Sequence, residues 1–354
     1  MYPRVVININ KLKENANIIL NWAKNNNASL AYVNKCVNGN KRIAKEILSL
    51  GFDFIADSRI ENLKDIDTDV KKMLIRIGSI NNAKSVVKYS DISLQSNIKV
   101  IKELNKEAKK LNKIHEVILM IDLGDLREGI LFNDIDLINE TVKEILSLSN
   151  ISLKGLGTNL TCYGSILPTE ENLNELLNIK ESLEKKFNIT LDIISGGNSS
   201  SLYLLKDNKL PKGINNLRIG EAILLGTDTA KGEKFIELND DAFILEAEIV
   251  EFYNKPSFPI GTRCVDAFGR VNEYIDRGKM NRAIVAIGRQ DIEESMLTCV
   301  NNNIEIIGAS SDHLILNIKN NTEYKVGSIV KFKLEYGSLL RCFTSKYVKK
   351  KFID

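Results

Sequence analysis

From about residue 11 to residue 226 the chain alternates short apolar runs with longer stretches in which Leu and Ile recur at helical spacing between Lys and Glu. A strand that is apolar along its whole length is buried on both faces, and an amphipathic helix is the usual return path to a parallel neighbour. Strands are expected at 30–34, 52–56, 73–77, 92–94, 116–122, 153–158, 191–195 and 217–225. Helices are expected between them, among others at 40–50, 97–111, 134–149 and 169–187. Eight such units predict an α/β fold, a (β/α)8 TIM barrel, for which about 250 residues is usual. The doubly wound open sheet is the alternative; it usually has fewer strands, and the glycine fingerprint of a dinucleotide site is missing after the first one.

After about residue 230 the pattern changes to β-rich runs at 242–251, 282–287, 304–308, 313–318 and 329–334, separated by turn residues such as Asn301-Asn302-Asn303 and Asn320-Asn321, with no helical period of useful length. A C-terminal antiparallel β domain follows from this. The expected domains are therefore a barrel over 1–230 and a β domain over 231–354, with the alternating segment 3–10 free to pair with the latter.

Composition removes several classes of function. Lys+Arg 49 against Asp+Glu 46 leaves a formal charge of +3, mixed along helix faces, so there is no basic footprint for nucleic acid. The N-terminus has no signal-peptide core and no apolar run approaches about 18 residues, so no membrane partner is expected. Five cysteines without CxxC spacing argue against disulfides and zinc, two histidines argue against a histidine-rich metal centre, and a reducing, cytoplasmic location is expected.

Barrel active sites lie at the C-terminal ends of the strands, and phosphate groups favour the loops after the seventh and eighth. Lys35 closes the first expected strand, where a lysine can carry a Schiff base; a solvated strand-end lysine is the bland alternative. Ser195-Gly196-Gly197-Asn198-Ser199-Ser200-Ser201 follows the seventh strand and Arg218-Ile219-Gly220 falls at the eighth. The glycines permit close backbone approach, the serines offer hydroxyls, and a helix over 201–205 would present its N-terminus to an anion. With Arg127 and Asn159 at other strand ends, these groups could surround one phosphorylated, planar cofactor. A lysine opposite a phosphate cradle is what pyridoxal phosphate requires.

Several spaced segments carry a resemblance: Ala31-Tyr32-Val33-Asn34-Lys35, Ala56 to Leu63, Asp122-Leu123-Gly124-Asp125-Leu126-Arg127-Glu128-Gly129, Gly157 to Gly164, Ser195 to Ser201, Leu217 to Ala222, and Gly308-Ala309-Ser310-Ser311-Asp312-His313. On these, over nearly its whole length, the chain resembles the alanine racemase superfamily. The resemblance implies a pyridoxal 5'-phosphate barrel with a β domain and racemisation of a small amino acid. It implies that Lys35 holds the cofactor and serves as a base on one face, and that Arg218 faces the pyridine nitrogen and leaves it unprotonated. Ser199 and the Gly220 amide match phosphate ligands in the loop that also holds Asn198. Arg127 matches an arginine near the phenolic oxygen, and Tyr336 a tyrosine near the phosphate or substrate. Single-domain members of the superfamily manage the cofactor without racemising anything, and they lack a β domain.

The chain also departs from the pattern. Cys36-Val37-Asn38-Gly39 follows Lys35 where a phosphate-binding tyrosine is usual, Asn159 stands in place of a histidine beside the ring, and Met120 falls where a carbamylated lysine is often found. Phe268 aligns with the opposite-face tyrosine that the partner subunit supplies, and a phenyl ring cannot accept a proton. A two-base racemase needs a proton acceptor on each face of Cα. The candidates are Cys264 and Asp266, then Asp312, His313 and Tyr336. Asp266 could equally hold a cationic side chain or cap the turn before Gly269, Cys264 could be a small core residue, and His313 a packed one. A second base on the β domain that must reach a barrel mouth implies a head-to-tail homodimer with shared active sites.

Overall fold

The computed structural model describes residues 1–266, 268–271, 273–319 and 323–354; the turn expected at Asn320-Asn321, and Ala267 within the segment that aligns with the missing tyrosine, lie outside them. The chain forms two compact units, one of Lys11–Asn239 and one of Met1–Asn10 with Asp240–Asp354.

The first unit is a closed parallel barrel. Its strands are β1 (Ser29–Val33), β2 (Phe54–Asp57), β3 (Lys71–Leu74), β4 (Ile92–Gln95), β5 (His115–Asp122), β6 (Ile151–Gly157), β7 (Ile193–Ser195) and β8 (Asn216–Ile219). Each pairs in parallel with the next, and β8 closes the ring on β1 with Arg218 opposite Ala31. Alternation along the strands puts Ala31, Val33, Ala56, Met73, Leu94, Ile118 and Met120 into one fully apolar cluster. On the β7–β8–β1 side the filling is polar: Ser195 Oγ donates to Asn216 Oδ1 at 2.6 Å, and Asn216 Nδ2 donates to Ser29 Oγ at 3.0 Å. Gly157 lies between the two regions, where a Cβ would stand 3.0 Å from both Ile118 Cγ2 and Met120 Sδ.

Most element ends shift by a few residues from the sequence expectation, and three of the differences bear on the site or the unit boundary. The eighth strand ends at Ile219 instead of running to 225, and Glu221–Leu225 is a helix capped by Gly226 at φ 64°. Ala222 to Leu225 are all buried, and an uninterrupted apolar run cannot distinguish a short buried helix from a strand. After β7 the chain makes a tight turn at Ser199–Ser201 before a helix at Leu202–Lys206, one step later than expected. The barrel unit extends to Asn239, where the buried Asn15, on the first helix Ile9–Asn25, accepts from the Asn239 amide at 2.7 Å and donates to the Ile223 and Asn239 carbonyls.

The second unit is antiparallel sheet. A 14-residue strand, Phe243–Pro256, runs through it and pairs with Ile329–Leu334 at one end and Lys279–Val285 at the other, with a register shift between Ile249 and Glu251. Arg4–Asn8 lies between this long strand, antiparallel to it, and Lys349–Ile353, parallel to it. One helix, Tyr336–Thr344, interrupts the β pattern; its nine residues bury Ser338, Leu339, Cys342 and Phe343, too few turns for a period to stand out in the sequence.

His115 opens β5 fully enclosed, its Nε2 2.8 Å from Ser93 Oγ, which also accepts from Gln95 Nε2. Burial pushes the imidazole from 6.5 down to about 4, with the Asp91 charge opposing the shift. The folded pKa lies below the unfolded one, so the unfolded chain binds the extra proton between these values. Stability from a neutral His115 is therefore complete above about pH 6.5 and is lost as pH falls toward 4, by up to about 3 kcal/mol. Urea unfolding of the wild type at pH 7 and 4.5 should show this loss, and His115→Gln should reduce it; equal pH dependence in both proteins would contradict the assignment.

Candidate active site

The C-terminal end of β1 carries the lysine. Beyond Val33 the chain turns through Lys35–Val37 with Cys36 and Val37 buried, and Asn38 and Gly39 take φ of 48° and 68°. Gly39 is required twice over, since a Cβ there would also stand 2.6 Å from Asn62 Cγ. Lys35 is half-buried. Beneath this turn Asp57, at the end of β2, accepts from the Arg59 amide at 2.9 Å and from Asn62 Nδ2 at 3.1 Å. Burial raises its carboxyl to about 6 against those bonds and the nearby Lys35 charge.

Across the barrel mouth, β8 presents Arg218 with only 2% of its surface exposed. Its Nη1 donates to Ser195 Oγ, and its Nη2 donates at 2.6 Å to both the Thr158 carbonyl and Asn159 Oδ1. Burial lowers the guanidinium to about 10, while the Glu128 charge supports it and Arg127 opposes it. Arg127 and Glu128 follow β5, and the Glu128 carboxylate accepts from Arg127 Nε, from Arg127 Nη2 at 2.7 Å and from Asn159 Nδ2. Arg127, Glu128, Asn159, Arg218, Ser195 and Asn216 thus form one connected polar chain across the ends of four strands.

Between β7 and β8 lies a cluster of donors. The Gly220 and Ala222 amides both point at Ser199 Oγ, each at 3.4 Å. These are long bonds for two N–H groups sharing one hydroxyl, and an anionic oxygen would satisfy all three donors better. Gly220 brings the backbone close, since a Cβ there would stand 2.8 Å from the Val33 carbonyl oxygen. Asn198 braces the loop: its Oδ1 accepts from the Ser200 amide at 2.8 Å, and its Nδ2 donates to the Leu160 carbonyl and to Cys162 Sγ.

This set fits pyridoxal phosphate. Ser199, Gly220 and Ala222 could take the phosphate, and Arg218, a buried cation with only neutral acceptors on it, could face the ring nitrogen. Lys35 sits at the neighbouring strand end.

The remaining candidates belong to the β unit. Asp266 caps its turn, with Oδ1 accepting from the Phe268 and Arg270 amides at 2.8 and 2.9 Å, and Oδ2 lies 3.9 Å from Arg289 Nη1. The Phe268 ring packs under that guanidinium at 4.7 Å. Cys264 is exposed, with its thiol toward the Val265 carbonyl. Asp312 accepts from Gln290 Nε2 at 2.9 Å, the adjacent His313 is exposed, and Tyr336 opens the helix Tyr336–Thr344 half-buried. Asp266, Phe268, Arg289 and Glu294 line a cleft of about 1000 Å³ within this unit, with Asp312, His313 and Tyr336 outside its lining.

Residues 7–228 match the family described as alanine racemase, N-terminal domain. The chain belongs to the alanine racemase family, a family of pyridoxal-phosphate-dependent racemases. It is 49% identical over 355 residues to an ornithine racemase of Acetoanaerobium sticklandii, covering 100% of both chains. A lysine racemase of Thermotoga maritima is 37% identical over 353 residues, covering 99% of this chain and 98% of that one. Among solved structures, an alanine racemase from Bartonella henselae with covalently bound pyridoxal phosphate superposes with a TM-score of 0.74 over 100% of both chains, at 16% identity.

Sequence reasoning singled out Lys35, Arg127, Asn159, Ser199, Arg218 and Gly220, and the structure places all of these on the barrel unit. It passed over Glu128, Ser195 and Asp57, although each lay inside a segment already noted. Ser199→Ala removes a hydroxyl that a bound phosphate would use and leaves the amides in place. The expected outcome is about tenfold weaker retention of pyridoxal phosphate, measured by cofactor release on dialysis; wild-type retention would remove Ser199 from the cradle.

Proposed function

We propose that the protein interconverts L- and D-ornithine, a reading carried above all by its full-length relationship to the ornithine racemase of Acetoanaerobium sticklandii. Pyridoxal phosphate, when bound, supplies a conjugated ring that takes up the electron pair released at Cα. Ser199 with the Gly220 and Ala222 amides holds the phosphate, in a loop that Asn198 keeps in shape. Arg218 donates toward the ring nitrogen, and because a guanidinium keeps its proton near neutral pH, that nitrogen stays unprotonated. Arg127 faces the anionic oxygens of cofactor and substrate, with Asn159 between the two arginines and Tyr336 assigned to phosphate or substrate. Lys35 takes or returns the Cα proton on one face.

The base for the other face is assigned to the β unit. Asp266 is occupied by its turn and by Arg289, which supports Cys264 ahead of it, followed by Asp312 and His313. This assignment carries with it a homodimer that shares its active sites. None of the five cysteines is in a disulfide, which fits the reducing, cytoplasmic location proposed here, and no described helix is long and apolar enough to cross a membrane. Recovery of the native protein outside the cytoplasm would overturn that placement.

A second substrate is favoured by one finding, the Thermotoga maritima lysine racemase relative. Lysine is longer than ornithine by one methylene, a difference that side-chain pockets discriminate by only about 10- to 200-fold. The purified holoenzyme should abolish the optical rotation of L-ornithine faster than that of L-lysine, L-alanine or L-serine. Lys35→Ala should lower the rate by about a thousandfold or more. A holoprotein that racemises none of the four would leave the reading of a non-catalytic cofactor carrier, and a Lys35→Ala protein with full activity would remove the base.

Shared sites make a separate prediction. A Lys35→Ala subunit mixed with a Cys264→Ala, Asp266→Asn subunit should regain activity, because one of the two sites in each heterodimer is intact. No gain on mixing two inactive proteins, or full activity in a stable monomer, would exclude sharing.

A further inference from the structure

Two guanidinium groups stand at the barrel mouth, and one carboxylate joins them. Glu128 receives Arg127 as a fork, through Nε and through Nη2 at 2.7 Å, and the oxygen that takes Nη2 also accepts from Asn159 Nδ2. The Glu128 side chain is 15% exposed and the Arg127 side chain 43%, so the carboxylate is shielded while the guanidinium remains open to solvent on one side. A carboxylate has only acceptors to offer, which settles the orientation of Asn159: its nitrogen faces Glu128 and its oxygen faces Arg218 Nη2 at 2.6 Å. With the amide reversed, an NH2 group would oppose the Arg218 donor, and the guanidinium would have to rotate.

The consequence lies in which Arg218 hydrogens stay available. Its bonds to Thr158 and Asn159 use both hydrogens of Nη2, and Ser195 takes one from Nη1. A second Nη1 hydrogen and the Nε hydrogen remain to meet an acceptor. Any rotation of the guanidinium would redirect them.

We propose that Glu128 is the positioning residue of this site: it aims Arg127 at the anionic oxygens of cofactor and substrate and, through the fixed Asn159 amide, sets the Arg218 hydrogen that meets the ring nitrogen. The inference rests on the racemase reading above and extends it to a residue that touches neither cofactor nor substrate. Glu128 also contributes the negative charge between two cations that repel one another.

Glu128→Gln and Glu128→Asp separate charge from geometry. Glutamine matches the shape but has one acceptor and one NH2 donor, so it cannot receive both the Arg127 fork and the Asn159 amide. In the Glu128→Gln holoprotein the pH midpoint of the visible absorption band should fall by about one unit, because a negative charge at the barrel mouth that favours a protonated linkage to Lys35 is gone. KM for ornithine should rise about tenfold, with a smaller change in kcat, as Arg127 loses its brace. Glu128→Asp keeps the charge but shortens the reach; it should hold the midpoint near that of the wild type while KM still rises several-fold, and it serves as the test should the glutamine variant fail to fold. A midpoint and KM unmoved in Glu128→Gln, or a wild-type KM in Glu128→Asp, would overturn the inference alone. A wild-type holoprotein without a visible band fixed by borohydride on Lys35 would overturn the cofactor reading and this inference with it.

Discussion

The buried guanidinium of Arg218 is the constraint on which the barrel mouth depends. A cation taken out of water is strongly destabilising unless its donors are matched. Arg218 meets that requirement for three of its five N–H groups with a serine hydroxyl, a backbone carbonyl and an amide oxygen, from the ends of β7 and β6 and the residue beyond Thr158. These acceptors must sit at fixed heights, so the register of β8 against β7 and β1 is tied to them; Arg218 also donates its own amide to the Gly197 carbonyl at 3.0 Å. The glycine-rich turn after β7 is therefore held from below by the residue it helps to enclose. Removing a single acceptor would leave a further buried donor of this cation unmatched, which costs more than one neutral hydrogen bond contributes.

The same requirement divides the barrel interior. Methionine, leucine and isoleucine fill the β3 to β5 side, where side chains need only volume, and Ser29, Ser195, Asn216 and Arg218 fill the opposite side, where each polar atom needs a partner. Gly157 stands at the border, where a Cβ would crowd Ile118 and Met120 at 3.0 Å and touch Ser195 at 3.5 Å. Met120 and Asn159, two departures from the alanine racemase pattern, lie on either side of this border. Met120 carries no charge, and the carboxylate bonded to Arg127 and Asn159 is that of Glu128 in the loop after β5.

What the sequence made legible follows the range of the interaction. Strand order, barrel closure and the lysine and serine loops were readable because each rests on local periodicity and on the rule that barrel sites gather at strand ends. Glu128 was not, because an arginine next to a glutamate in a loop reads as an exposed ion pair; its bond to Asn159 joins residues 31 apart in sequence. The barrel unit runs to Asn239, whose amide donates to Asn15 across 224 residues, a contact that no local signal near residue 230 announces. The helices Glu221–Leu225 and Tyr336–Thr344 escaped notice because five and nine residues are too few to display a stripe. Asp266 shows the opposite case: a turn before Gly269 was one of three open readings, and its carboxylate caps that turn.

On the proposed mechanism, the arginine at the ring nitrogen and the carboxylate between the arginines answer one chemical problem. A racemase must release a proton from Cα and return it without letting the electron pair travel further into the ring, where transamination begins. An unprotonated ring nitrogen makes the cofactor a weaker electron sink, and a guanidinium gives that state without a titrating group in the physiological range. The cost is a second positive charge close to Arg127, which the field of Arg127 on Arg218 makes explicit. A single shielded carboxylate that reaches both, directly on one side and through an amide on the other, relieves that repulsion and fixes the direction of each donor. On this proposal, charge balance and geometry at this mouth are set by one side chain, with the reactive lysine half-buried at its own strand end.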